Sequence, residues 1–158
     1  ECMMWYPQYR MERRKFLGTA AAGVLGTAVS PAVLRAATRS ESEERNVQIV
    51  NKMCEAWVAP FDPAPIGALL AEDCIYRASE TTPPMNGRDT ILEFIQTIMN
   101  DVTGCEFEVV ESFARGPIVM NDRWDRFDYP SRKSEFHVVG VFFMKDGLIS
   151  EWTDYLIP

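Results

Sequence analysis

At 158 residues the chain has the length of one ordinary domain rather than two, and its 47% apolar content is enough for a packed core. The formal charge of −7 is unevenly spread: ten of the 16 Lys/Arg but 21 of the 23 Asp/Glu fall in residues 41–158, a net −11 for that part. So acidic a body is repelled by nucleic acid and anionic membranes, which leaves a neutral or cationic ligand as the expected partner.

The N-terminal part differs. From Met11, "MERRKFLGTAAAGVLGTAVSPAVL" sets Arg13-Arg14 before Phe16-Leu17 and then carries no charge through Leu34. This resembles a twin-arginine (Tat) export signal over residues 11–38, with residues 1–10 as extra sequence ahead of a start at Met11. A membrane anchor is the alternative, a weak one given the Gly, Ala, Thr and Pro31 content. Residues 1–40 are therefore set apart from the fold, and 41–158 form the single domain. The Tat machinery is the expected partner of the leader. The expected location is periplasmic or otherwise extracytoplasmic, with a membrane tether if the signal stays uncleaved.

Within the domain, "SEERNVQIVNKMCEAWV" (42–58) predicts a helix capped by Ser42, with Val47, Val50, Cys54 and Trp57 at helical spacing. A proline-broken turn leads to a short helix around Pro65–Ala71, then "CIYRAS" (74–79) predicts a strand. After the turn "ETTPPMNGRD", Asp89 caps a helix over 90–102 whose stripe is Ile91, Phe94, Ile95, Ile98 and Val102. Four strands follow at 105–115, 117–129, 134–145 and 148–157, and Asp146-Gly147 is a strong hairpin signal. Helices followed by an antiparallel meander predict an α+β fold. A strongly curved meander on helices makes a cone with a pocket lined by alternate strand residues.

Alternation sorts the strand residues. In 117–129 one face holds Val119, Asn121, Arg123, Asp125, Phe127 and Tyr129. The other holds Met120, Asp122, Trp124, Arg126 and Asp128 and carries more charge, so the first face points inward. In 134–145 the apolar face is Phe136, Val138, Gly140, Phe142 and Met144, with His137 opposite. In the last strand Leu148, Ser150, Trp152, Asp154 and Leu156 share a face. An arginine and two carboxylates inside an apolar pocket are costly unless they pair, and one forked guanidinium can satisfy both. The easiest charge state holds one Asp protonated and one ionised, which is what acid/base chemistry near neutrality requires. A purely structural triad is the alternative at this point. Cys54, Cys74 and Cys105 lack C-x-x-C spacing and are expected to be buried small apolar residues. His137 is the single histidine, which excludes a multi-histidine metal site.

The segments "AEDCIY", "GRDTI", "DRWDRF" and above all "GVFFMKDGLISEWTDYL" resemble the limonene-1,2-epoxide hydrolases. These belong to the wider NTF2-like group of α+β cones, with ketosteroid isomerases and SnoaL-type polyketide cyclases. The resemblance spans most of residues 44–157. It implies an NTF2-like cone, a curved and mostly antiparallel sheet on N-terminal helices around a deep apolar pocket. It implies Asp154 as the base that deprotonates a water, Asp125 as the acid that protonates the epoxide oxygen, Arg123 as their bridge and Tyr76 as a holder of the water. The pocket walls it implies are Ile98, Val102, Phe127, Phe136, Val138 and Leu156. The implied reaction adds water to a small apolar epoxide to give a vicinal diol, without cofactor or metal. One position departs from that pattern: the family's water-holding Asn two residues after the Tyr is Ala78 here, with Ser79 or Glu80 as possible substitutes. Isomerase or cyclase chemistry, and a non-enzymatic binder of apolar ligands, stay open. Val139, Val141 and Phe143 on the outer side suggest a buried outer face and a homodimer.

Overall fold

The computed structural model describes residues 40–158, so the leader readings lie outside the described residues. Helix α1 (Glu41–Glu55) starts one residue earlier than expected because Ser40, not Ser42, caps it. The Ser40 hydroxyl accepts from the Glu43 amide, and the Glu43 carboxylate accepts from the Ser40 amide. The helix ends at Glu55, short of Val58, where Trp57 switches to an i→i−3 bond ahead of Pro60. Val47, Val50, Met53 and Cys54 form its buried stripe.

Helix α2 (Pro63–Gly67) also starts early. Asp62 caps the Ala64 amide and Pro63 occupies the first turn, a stronger start signal than Pro65. The chain is already extended at Leu70, so β1 (Leu70–Arg77) is longer than the expected 74–79 and ends two residues sooner. A two-residue strand, β2 (Met85–Asn86), was too short to show a period. Helix α3 (Arg88–Met99) is led by Gly87 at φ 92°. Asp89 lies inside its first turn and makes no cap, and the helix stops before Val102. The remaining strands are β3 (Gly104–Arg115), β4 (Ile118–Tyr129), β5 (Arg132–Lys145) and β6 (Leu148–Ile157), each within two residues of expectation. Asp146 (φ 53°) and Gly147 (φ 79°) make the last turn, both in the left-handed region that a two-residue hairpin requires.

The six strands form one sheet in the order β2-β1-β6-β5-β4-β3. All neighbours are antiparallel except β1 and β6, so the four-strand meander gains a parallel strand and a short edge. α1 packs on β3 and β4, and α3 on β1. Register shifts sharpen the curl between Val109 and Glu111 in β3 and beside Phe143/Met144 in β5. The second of these corrects the face reading of β6. Ser150 is the extra residue, donating to the Phe143 carbonyl at 3.0 Å. Ile149 therefore takes the inner, fully buried place opposite Met144, and the phase is regained at Trp152. Among the described residues no helix is long and apolar enough to cross a membrane.

Candidate active site

The inner face of β4 carries Val119, Asn121, Arg123 and Asp125, all buried as the alternation predicts. Gly140 on β5 pairs with Asn121 on one side and with Asp154 of β6 on the other. The Arg123 guanidinium reaches from β4 across this glycine to Asp154. Its Nε and Nη2 donate to Asp125 Oδ1 and Oδ2 at 2.8 and 3.1 Å, and Nη2 also donates to Asp154 Oδ1 at 2.7 Å. Nη1 donates to Asn121 Oδ1 at 2.9 Å. Asn121 in turn donates to Cys54 Sγ at 3.2 Å, and the Phe107 ring lies 5.2 Å from the guanidinium carbon. Asp154 accepts two further bonds, from Trp152 Nε1 to Oδ1 at 2.8 Å and from the Tyr76 hydroxyl to Oδ2 at 3.3 Å. Among the described residues no buried side-chain polar atom lacks a partner. A buried ionic network is tolerable only in that condition.

The charges follow from this wiring. Burial pushes the Asp125 carboxyl up to about 6; Arg123 pulls it down and Asp154 adds to the rise. Burial opposes the Arg123 charge, but Asp154 and Asp125 together raise its pKa, so it stays protonated. Burial, then the Asp154 charge, lifts Tyr76 well above the ordinary phenol value, so it acts as a neutral donor. Burial also lifts the Cys54 thiol to about 12.

Gly140 is required by this arrangement. A Cβ there would sit well inside contact distance of Arg123 Nη1 and 2.7 Å from both Asn121 Oδ1 and Phe142 Cε2. Gly140→Ala is therefore expected to push the guanidinium off Asp154 while the strand survives. An ångström of misplacement costs on the order of 10²-fold in rate. A drop of that size in turnover, together with a lowered melting temperature because a buried ion pair is strained, is the expected result; unchanged turnover would show that the slot does not matter.

Asp125 and Asp154 border an apolar cavity of about 210 Å³, and Arg123 lies fully buried behind them. Of the expected walls, Ile98, Phe127, Phe136, Val138 and Leu156 line it, with Phe136 and Leu156 half exposed. Val102 does not: α3 has already ended, and its side chain packs in the core instead. Trp57, Phe94, Phe107 and Trp152 also line the cavity. Phe94 and Trp57 stood in the helical stripes, and Phe107 follows by alternation in β3, but no spacing rule marked them as pocket walls. Ala78 lines the wall as well. Ser79 does not replace the missing amide, since its hydroxyl bonds Thr82 at 2.6 Å and Thr81 at 3.2 Å, and Glu80 is exposed. His137 is on the outer face, 2.6 Å from Asp122 and stacked on Trp124, apart from the triad. Cys54, Cys74 and Cys105 are in no disulfide. Among the described residues no group of three or more His, Cys, Asp or Glu converges where a metal could sit.

The model of the SnoaL-like domain matches residues 50–152. A solved LEH-like epoxide hydrolase from M. tuberculosis is similar at 23% identity, over 73% of this chain and 85% of that one, with a TM-score of 0.66. A protein from Jannaschia sp. CCS1 described as a SnoaL-like polyketide cyclase is 15% identical, over 76% and 90%, with a TM-score of 0.67. One from Xanthomonas campestris pv. campestris described as a polyketide cyclase is 23% identical, over 72% and 90%, with a TM-score of 0.62. At these identities the likeness establishes the NTF2-like α+β fold. No curated protein matches the chain in sequence.

Proposed function

The chain belongs to the SnoaL-like domain family, and we propose that within it the protein is a cofactor-independent epoxide hydrolase that opens a small apolar epoxide to a vicinal diol. The observation that carries this is the Asp125–Arg123–Asp154 bridge beside an apolar cavity, with one carboxyl raised to about 6 and the other held by three donors. Each Asp125 oxygen gives one lone pair to Arg123. Its proton then sits on the cavity side, where an epoxide oxygen can accept it. Asp154 takes a proton from water as that water attacks a ring carbon. One C–O bond forms, one ring C–O bond breaks, and Asp125 protonates the leaving oxygen. Solvent exchange returns the proton from Asp154 and reprotonates Asp125. Tyr76 and Trp152 aim the base. Each properly placed acid or base supplies roughly 10²–10⁴-fold.

Ala78 favours a second reading, a non-enzymatic binder of apolar ligands, because the wall there offers no polar side chain to hold water or to act as a base, which also weighs against an isomerase of the same fold. Diol formation in ¹⁸O-water by residues 41–158, with limonene oxide and cyclohexene oxide, separates these. Expected is diol carrying one ¹⁸O on carbon. The acid must be protonated, so kcat/KM is expected to fall as pH rises through about 6. Absence of diol across a wider epoxide panel would sink the hydrolase reading.

We further propose a homodimer through the outer sheet face. Phe113, Ile118, Phe143 and Tyr155 are exposed there, and the register sets Ile118 beside Phe143. Sedimentation is expected to give a dimer that Phe143→Glu splits; a monomeric parent would reject it.

A further inference from the structure

The cavity is more specific than its apolar character suggests. Its wall is built of ring systems. Trp57 lies nearly parallel to Phe107 at 4.6 Å, Phe127 stands edge-on to both, and Tyr76 stacks on Trp152 at 3.9 Å. Aromatic faces carry negative electrostatic potential. The charged part of the wall is Asp125 and Asp154, and among the described residues no Lys or Arg lines it. Arg123 is fully buried behind the two carboxylates and is not part of the surface a ligand meets. Above the Asp125 value of about 6, one guanidinium set against two carboxylates leaves a single negative charge beside the cavity. Residues 41–158 add a net −11 around it.

A neutral occupant of such a cavity gains apolar burial and at most a hydrogen bond to a carboxyl group. A compact organic cation gains the same burial and compensation of the leftover charge, and each ring face turned to the cavity adds to the attraction. The size also fits: a dry cavity of about 150 Å³ takes benzene, and this one is about 210 Å³. We infer that the cavity is a binding site for small organic ammonium ions with apolar substituents. The inference does not rest on the hydrolase reading, because binding needs no turnover. It bears on that reading, though. Acid-assisted ring opening builds positive charge on the epoxide carbons, and a cavity suited to an ammonium is suited to that charge.

The test is a matched pair: choline and its uncharged carbon isostere 3,3-dimethylbutan-1-ol, titrated by calorimetry and tryptophan fluorescence at low salt. At pH 8, above the Asp125 value of about 6, choline is expected to bind about tenfold tighter than the alcohol. At pH 5 that preference should shrink several-fold while alcohol binding stays constant. Asp125 is the group that changes. It is faced by Arg123 on its own strand, Asp154 from β6, Tyr76 from β1, Cys54 from α1 and Cys105 from β3, and the tyrosine and both thiols have raised pKa values that keep them neutral over this range. Asp125→Asn should reproduce the loss at pH 8. Equal or tighter binding of the alcohol, or binding of neither probe, overturns the ammonium site. Diol formation without choline binding overturns only this inference, and choline binding without diol formation overturns only the hydrolase reading.

Discussion

Asp154→Asn is expected to lower diol formation by about 10³-fold while leaving the fold intact. The size follows from removing a general base, which is worth roughly 10²–10⁴-fold. The survival of the fold follows from the hydrogen bonds. An asparagine oxygen can still accept from Arg123 Nη2 and Trp152 Nε1, and its amide can face the Tyr76 hydroxyl, which then accepts. The variant also removes a negative charge from a triad that carries two carboxylates against one guanidinium, so its melting temperature should stay close to that of the parent. A second readout separates lost chemistry from lost structure. Asp154 is one of the groups that raise Asp125, so the Asp125 carboxyl, followed by carbon NMR, should titrate lower in the variant than in the parent. A variant that keeps full turnover would remove Asp154 from the reaction.

The inward face of β4 was legible because strand alternation leaves two choices and charge picks between them. Arg123 and Asp125 fall with Val119 and Phe127, opposite Asp122, Arg126 and Asp128. In the last strand the same alternation sets Asp154 on a face with Trp152 and Leu156, and the register places it on the inner surface. The alternation failed where the backbone stops being regular. Ser150 is a bulge, and nothing in its side chain announces that, so Ile149 was assigned to the wrong face. The glycine slot was also hidden. Gly140 has a meaning only once the register sets it between Asn121 and Asp154. Without that register, a glycine in a strand is just a weak strand former. Alternation sets Trp152 on the same face as Asp154, as core or pocket wall, but its donation to Asp154 depends on a rotamer that no sequence pattern reports. Asn121 stood on the correct face and went unassigned for the same reason. Helix ends shifted by a few residues because several candidate caps compete locally. Ser40 wins over Ser42 through the reciprocal bond with Glu43, and Asp62-Pro63 wins over Pro65.

Arg123→Met is expected to cost more stability than any other single change in the site, about 3–5 kcal/mol at pH 8, which is the usual penalty for breaking a buried ion pair from one side. That is a large part of the roughly 5–15 kcal/mol that holds a domain together. The methionine fills the space but donates nothing. Asp125 loses both of its bonds, Asp154 loses the shortest of its three, and Asn121 Oδ1 loses its donor. Lysine would not repair the loss, since a point ammonium cannot serve Asp125, Asp154 and Asn121 in one plane. The pH dependence gives the diagnostic sign. Burial already holds Asp125 above its ordinary value in the parent, and Arg123 is the group that pulls it down. Without the arginine it rises further. A carboxyl raised in the folded state contributes stability below its unfolded pKa and loses it as pH climbs through the folded one. The deficit of the variant should therefore narrow between pH 8 and pH 4, as the carboxyl takes up its proton in the folded protein. Denaturant melts of parent and variant at the two pH values measure this directly. A deficit that is constant with pH would mean that lost packing dominates. A variant as stable as the parent at pH 8 would mean that the arginine is not neutralising buried charge, and then the two carboxylates could not be the coupled acid and base on which the proposed reaction depends.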